Sequence, residues 1–240
     1  MSKNILKFLA VFIIGTVGGI FSDQILWPYF IERPLFLKYK LEQTPVYVTE
    51  KKETTTYIQE NIALREAAEK AAKTVVGVKT KTKEGGILAG SGLMVTNDGF
   101  LVTLAELLPQ GSDFAFYVDE KWPEYQVLKR DLKNNLALVK VDGGGLHTAG
   151  FADFEKIKLG ERVFLFGFDF STTTQKLMVN EGIIKFFDNN LIQTNIFETS
   201  AVNGSPLFNI EGNVVGLSMV AGDGKVSAIP VSKIRQFMGF

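Results

Sequence analysis

The residues of this chain that could carry chemistry are few, and the stretch ETSAVNGSPLFNIEGNVVG, residues 198–216, holds several of them. Asn203-Gly204-Ser205-Pro206 is a turn-forming stretch with a hydroxyl in it. Ser200 lies three residues before Asn203 and Ser205 two after it, and either hydroxyl is a candidate nucleophile. Acyl transfer from a serine also needs an imidazole to take the proton and a carboxylate to hold the imidazole in place. The chain has one histidine, His147, in the glycine-rich stretch GGGLHTAG, so a general base of the usual kind has one candidate. A histidine on a loop is most simply a solvated side chain without a role.

Other chemistries are excluded more firmly. The chain contains no cysteine, which rules out disulfides and thiolate metal sites, and one histidine cannot build a multi-histidine zinc centre. Asp98, Asp113 and Asp119 do not have the spacing of a metal-binding loop. EGGILAGSG is glycine-rich but lacks the lysine and the following helix of a phosphate-binding loop. No cofactor is expected. The 26 basic and 26 acidic residues cancel, so no global field draws nucleic acid. The charges of DEKWPEYQVLKRDLK read as a solvated strand and turn face.

The elements that would position these residues begin after an apolar N-terminus. Phe8 to Ser22 carries no charge and follows Lys3 and Lys7. With Lys7 reaching outward, the run from Ile5 gives roughly 20 residues, enough to cross a bilayer. Trp27 and Tyr29 stand where an aromatic belt belongs. A secretory signal peptide is the rival reading, but no clean A-x-A-like cleavage site follows, with Gly18-Gly19 the nearest small pair. An uncleaved anchor over 1–27 is the expectation, with the basic residues before the run placing the N-terminus inside and the folded domain outside the cytoplasm. Arg33, Lys38 and Lys40 on the far side weigh against that orientation. Gly15 and Gly19 form a G-x-x-x-G, which glycine's frequency in membrane helices suffices to explain. Residues 28–60, with Pro28, Pro34, Pro45 and KKETTT, read as a linker. QENIALREAAEKAAK, residues 59–73, predicts a short helix capped by Asn61, too alanine-rich to stand without packing on the body of the chain.

From Val75 onward the chain changes to short β-branched and aromatic runs. Asn97-Asp98-Gly99, Glu211-Gly212-Asn213 and Asp223-Gly224 are hairpin turns. About a dozen short strands without a long helix predict an all-β sandwich or barrel. Gly143-Gly144-Gly145 divides the strands into two sets, as in two barrels joined by a linker.

Four motifs in order, GSGLMVTNDGFLVTLAELL, DLKNNLALVKV, GERVFLFGF and IQTNIFETSAVNGSPLFNIEGNVVGL, together resemble trypsin-like peptidases of the HtrA/Deg type, and SAIPVSKI resembles that family's last strand and the start of its final helix. The similarity runs from about Val75 to about Phe237. The resemblance implies an all-β fold of two six-stranded antiparallel barrels over residues 61–240, with the active site in the cleft between them. The N-terminal transmembrane helix and the short helix precede it. The chain ends after this domain, so the PDZ module of many members is not expected.

Carried over residue by residue, the resemblance places Glu106 in the position of the general-base histidine, Asn135 in that of the acidic residue and Asn203 in that of the serine. The oxyanion-hole amides correspond to Ala201 and Asn203, and alanine resists backbone angles that the family's glycine permits. A carboxamide supplies no nucleophile, and Glu106 then has nothing to activate. Ser205 is the rescue candidate for an enzyme with unusual machinery. The expectation is a membrane-anchored, extracytoplasmic pseudoprotease that binds peptides or unfolded proteins by strand addition, with residues 191–196 and 216–221 lining the cleft. An active endopeptidase with non-standard residues and a purely structural envelope protein are the alternatives. The family also implies a homo-oligomer, a trimer formed through segments before the first barrel, for which residues 28–74 would serve.

Overall fold

The computed structural model describes residues 2–26, 60–170 and 175–239. Trp27, Tyr29 and nearly all of the expected linker therefore lie outside the described residues. The chain divides into two compact units, residues 1–56 and 57–240.

In the first unit, α1 spans Ser2–Phe21 and continues as π-helical turns over Ser22–Leu26. Within it, Lys7–Leu26 is a 20-residue stretch long and apolar enough to cross a bilayer, with none of it buried by protein. Its one hydroxyl between Phe8 and Phe21 is satisfied internally, since Thr16 Oγ1 donates to the Ile13 carbonyl at 2.9 Å. An apolar helix whose polar groups close on themselves suits a hydrocarbon surrounding.

The second unit opens with α2, Glu60–Ala72, in which Asn61 is the second residue rather than the cap. Ala67 and Ala71 of α2 are buried in the core of the body, as the small residues on that face require. Six strands follow: β1 Val75–Lys81, β2 Ile87–Met94, β3 Phe100–Leu104, β4 Asp113–Tyr117, β5 Tyr125–Asp131 and β6 Leu136–Val141. Six more come after the three glycines: β7 Arg162–Asp169, β8 Lys176–Phe187, β9 Ile192–Phe197, β10 Pro206–Asn209, β11 Val214–Val220 and β12 Lys225–Pro230. The helix α3, Val231–Met238, ends on Gly239 in the left-handed conformation.

All pairings between these strands are antiparallel. The second set closes into a barrel, in the order β10-β11-β12-β9-β8-β7. The first set differs from the expectation of a second closed barrel. It is a six-stranded sheet in the order β4-β1-β2-β3-β6-β5, and no ladder joins its end strands. A side chain spans the gap instead. The Tyr125 hydroxyl accepts from the Phe114 N–H at 3.3 Å, and its ring packs edge-on against Phe116 with centroids 5.0 Å apart.

The sequence RVFLFGFD of β7 is apolar on both faces because each face meets a different core. Val163 and Leu165 point into the second barrel, while Phe164 and Phe166 pack with the first sheet, α2 and α3. Phe164 stacks on Phe208 at 5.4 Å, extending this shared layer onto β10.

Ser91 of β2 joins the two strand sets. It is fully buried, and its backbone faces away from β1 where β2 has outrun β3. Its N–H donates to the Asn203 carbonyl at 2.7 Å, its carbonyl accepts from Thr103 Oγ1 at 2.7 Å, and its hydroxyl accepts from the Phe168 N–H at 2.8 Å. Ser91→Ala leaves the Phe168 amide without its acceptor and is expected to cost about 1–2 kcal/mol. Urea unfolding at neutral pH checks this, and an unchanged midpoint would remove Ser91 from its linking role.

Candidate functional site

Glu106 reaches the junction of the two strand sets because β3 ends in a 3-10 turn, Ala105–Leu107. The turn is fastened on both sides. Thr80 Oγ1 donates to the Leu107 carbonyl at 2.6 Å, and the Ala105 N–H donates to the Asn135 carbonyl at 3.1 Å. Leu107 is buried and Glu106 is exposed, so the turn anchors an apolar residue and presents a carboxylate.

Asn135 sits at the start of β6 with φ of 54°, a left-handed position that asparagine tolerates better than most residues. The preceding turn is held by Asp131, whose carboxylate accepts from the Asn134 N–H at 3.1 Å and from Asn134 Nδ2 at 2.6 Å. These bonds, the side-chain amide of Asn134 first, hold the Asp131 carboxyl below its ordinary pKa. With the folded value depressed, their contribution is present above the unfolded carboxylate pKa and is lost as pH falls through the folded value.

Glu106 and Asn135 meet in a two-point pair. Asn135 Oδ1 accepts from the Glu106 N–H at 3.0 Å, and Asn135 Nδ2 donates to Glu106 Oε2 at 3.0 Å. The same Nδ2 lies 3.9 Å from Met219 Sδ on β11. A histidine–aspartate pair at these positions would donate from the first residue to the second. Here the side-chain donor is on Asn135 and the acceptor is the Glu106 carboxylate, so the polarity is reversed.

Asn203 leaves a 3-10 turn, Ser200–Val202, that consumes its amide. The Asn203 N–H donates to the Ser200 carbonyl at 3.1 Å, so it is not aimed outward as one half of an oxyanion hole with Ala201. The Asn203 carbonyl is held by Ser91, and its side-chain Oδ1 accepts from the Val220 N–H at 2.7 Å. Gly204 follows with φ of 76°, and a Cβ there would lie 2.2 Å from the Ser91 carbonyl, so the approach of the loop to β2 requires glycine.

The hydroxyls fall elsewhere. Ser205 is fully buried, and its Oγ, like that of Ser218, has no hydrogen-bond partner. A Cβ on Gly167 would come within 2.4 Å of that oxygen, so the hydroxyl faces β7 in the interior. Ser200 is exposed at the start of its turn. His147 is exposed on the connection between the strand sets and borders a shallow hollow of about 400 Å³ with Glu66, Glu69, Lys70 and Lys73.

The structure therefore brings Glu106, Asn135 and the Asn203 loop to one junction, with Thr103, Leu107 and Met219 between them. Strand β9 is paired on both sides at Ile192 and Gln193, to β8 and to β12. Strand β11 outruns β10, which begins at Pro206 opposite Leu217; Ser218 is still bonded to residues 204 and 205, and beyond it no strand backbone partner is paired with Val220 on that side. Sequence reasoning missed Ser91 and the Val220 amide. The serine between glycines in an apolar strand was a signal for the first. The second depends on strand register and left no mark.

Two antiparallel six-stranded sets, one a closed barrel, with a site at their junction, define a trypsin-like fold of the HtrA type. The sequence profile of the trypsin-like peptidase domain matches residues 90–217, and the chain belongs to that family. A probable periplasmic serine endoprotease DegP-like from Pseudomonas putida F1 is 30% identical over 140 residues, 54% of this chain and 28% of the relative. The chain thus spans less than a third of the length of that curated relative. Among solved structures, the HtrA-type protease AlgW with tripeptide superposes with a TM-score of 0.66 at 22% identity, covering 73% of this chain and 62% of that one. The serine endoprotease from Yersinia pestis gives 0.66 at 21% identity, covering 73% and 65%.

The reversed pair carries a pH prediction. Asn135→Asp keeps the bond to the Glu106 amide but sets a carboxylate against a carboxylate. The repulsion exists only where both carboxyls are ionised, so stability is lost as pH increases and recovered where one is protonated. The expected deficit against the native sequence is about 1 kcal/mol at pH 7, limited because Glu106 can turn to solvent, and smaller at pH 4. Urea unfolding at both pH values checks it, and a pH-independent deficit would show the two side chains do not face each other.

Proposed function

We infer that this chain is a membrane-anchored, HtrA-like protein whose trypsin-like domain lies outside the cytoplasm and holds extended polypeptide without cutting it. The observation that carries this reading is the content of the three catalytic positions. Glu106 and Asn135 satisfy one another, and Asn203 directs a carboxamide at β11. A carboxamide is not a serviceable nucleophile, and a carboxylate bonded to an amide has no hydroxyl to activate. The amide that would stabilise an oxyanion is already bonded to Ser200. The buried position of Ser205 further disfavours a shifted nucleophile, since a reacting group must meet substrate at about 3 Å.

Binding survives the loss of chemistry because strand addition uses backbone groups of an exposed edge. The end of β11 at Val220, past the backbone partners of Ser218, is such an edge, its N–H held by a side chain and not by a neighbouring strand. The name of the Pseudomonas putida relative, a periplasmic protein, supports placing the domain outside the cytoplasm, and the apolar helix α1 supports an anchor there.

The test is cleavage of labelled casein by the full-length chain in detergent, beside Ser205→Ala. No cleavage is expected from either. Ser205→Ala is expected to be more stable than the native sequence by about 1 kcal/mol, because it removes a buried hydroxyl that lacks a partner. Cleavage by the native chain that disappears in Ser205→Ala would make this an enzyme.

A further inference from the structure

Strand β11 pairs with β12 in a register that places Ala221 opposite Lys225, with the Ala221 N–H donating to the Lys225 carbonyl at 2.9 Å. Hydrogen-bonded and non-hydrogen-bonded pairs alternate along an antiparallel ladder. Val220, opposite Val226, is therefore a non-bonded position on that side, and its N–H and C=O point the other way. Ser218 points the same way two residues earlier, and there both its groups are taken by the chain. Its N–H donates to the Ser205 carbonyl and its carbonyl accepts from the Gly204 N–H, each at 2.8 Å. At Val220 the backbone partner ends and a side chain takes over, with Asn203 Oδ1 accepting the amide proton at 2.7 Å.

A carboxamide oxygen is chemically the carbonyl of a peptide group. Asn203 thus occupies, with its side chain, the place that the backbone carbonyl of an added strand would take. Asn203 and Val220 are both half-buried, so the contact lies at the open end of the edge.

We propose that Asn203 is a latch on the β11 edge, competing with the backbone carbonyl of an incoming extended polypeptide for the Val220 N–H and setting the affinity of the site. The proposal rests on the binding reading above. It gives the residue at the nucleophile's position a present role. Release of the latch requires only rotation of the Asn203 side chain, since the backbone bonds of residue 203 to Ser200 and Ser91 do not involve it.

Two substitutions move the latch in opposite directions. Asn203→Ala removes the competitor and keeps the backbone bonds. One neutral hydrogen bond corresponds to about 3- to 10-fold in affinity, so binding should tighten by that factor. Asn203→Asp replaces a neutral acceptor with a charged one of roughly twice the strength, so binding should weaken about 3-fold or more. The probe is fluorescein-labelled casein, titrated against full-length protein in detergent and read by anisotropy. Hydrogen exchange read by mass spectrometry on a peptide spanning residues 217–222 should show one amide exchanging faster in Asn203→Ala. Tighter casein binding by Asn203→Ala, weaker binding by Asn203→Asp and the faster amide together support the latch. Equal binding by all three proteins overturns the latch and leaves the binding reading standing. No binding by any of them, Asn203→Ala included, overturns the binding reading and the latch with it.

Discussion

Every polar group of Ser91 is committed, and the commitments cross the boundary between the two strand sets. Its amide holds the Asn203 loop, its hydroxyl holds the end of strand β7 at Phe168, and its carbonyl is closed by Thr103 from its own sheet. A buried residue with three satisfied groups fixes position far more sharply than apolar contact does, because a displacement would strand all three in a low-dielectric interior. The placement of the junction residues follows from this one anchor. Thr103 lies on the strand that leads into the Glu106 turn, and Gly204 is required because the loop passes so close to the Ser91 carbonyl.

The geometry around that anchor is that of a peptidase family. Each of the three positions to which the family resemblance assigns chemistry holds a side chain that makes at least one hydrogen bond within the protein. Glu106 and Asn135 match donor to acceptor, and Asn203 matches the edge of a strand. Groups arranged for reaction are commonly left short of partners so that substrate can supply them. These positions are nearer to satisfied structural polar sites, and the unpartnered polar atoms lie deeper, at Ser205 and Ser218.

Much of the architecture could be read from local signals. The Asn97-Asp98-Gly99 turn joins β2 to β3, Asp223-Gly224 joins β11 to β12, and Gly143-Gly144-Gly145 falls between the two strand sets. These features are legible because turn chemistry is set by a few neighbouring residues. The contacts that separate an open sheet from a closed barrel are not local. Tyr125 reaching Phe114 and Phe116 depends on how far the sheet coils, and nothing in PEYQVLKRD announces that coiling. The same holds for the site. The residue types at positions 106, 135 and 203 were visible, while the Glu106–Asn135 pairing and the Val220 contact emerged only from strand register and from the turn that spends the Asn203 amide on Ser200.

The two-point pairing of Glu106 with Asn135 ties together positions 29 residues apart in the chain. The two positions are therefore coupled: an aspartate at 135 would meet the Glu106 carboxylate, whereas a histidine at 106 could still donate to the Asn135 carboxamide oxygen. Exchanges at one position change what the other tolerates, and their effects do not add.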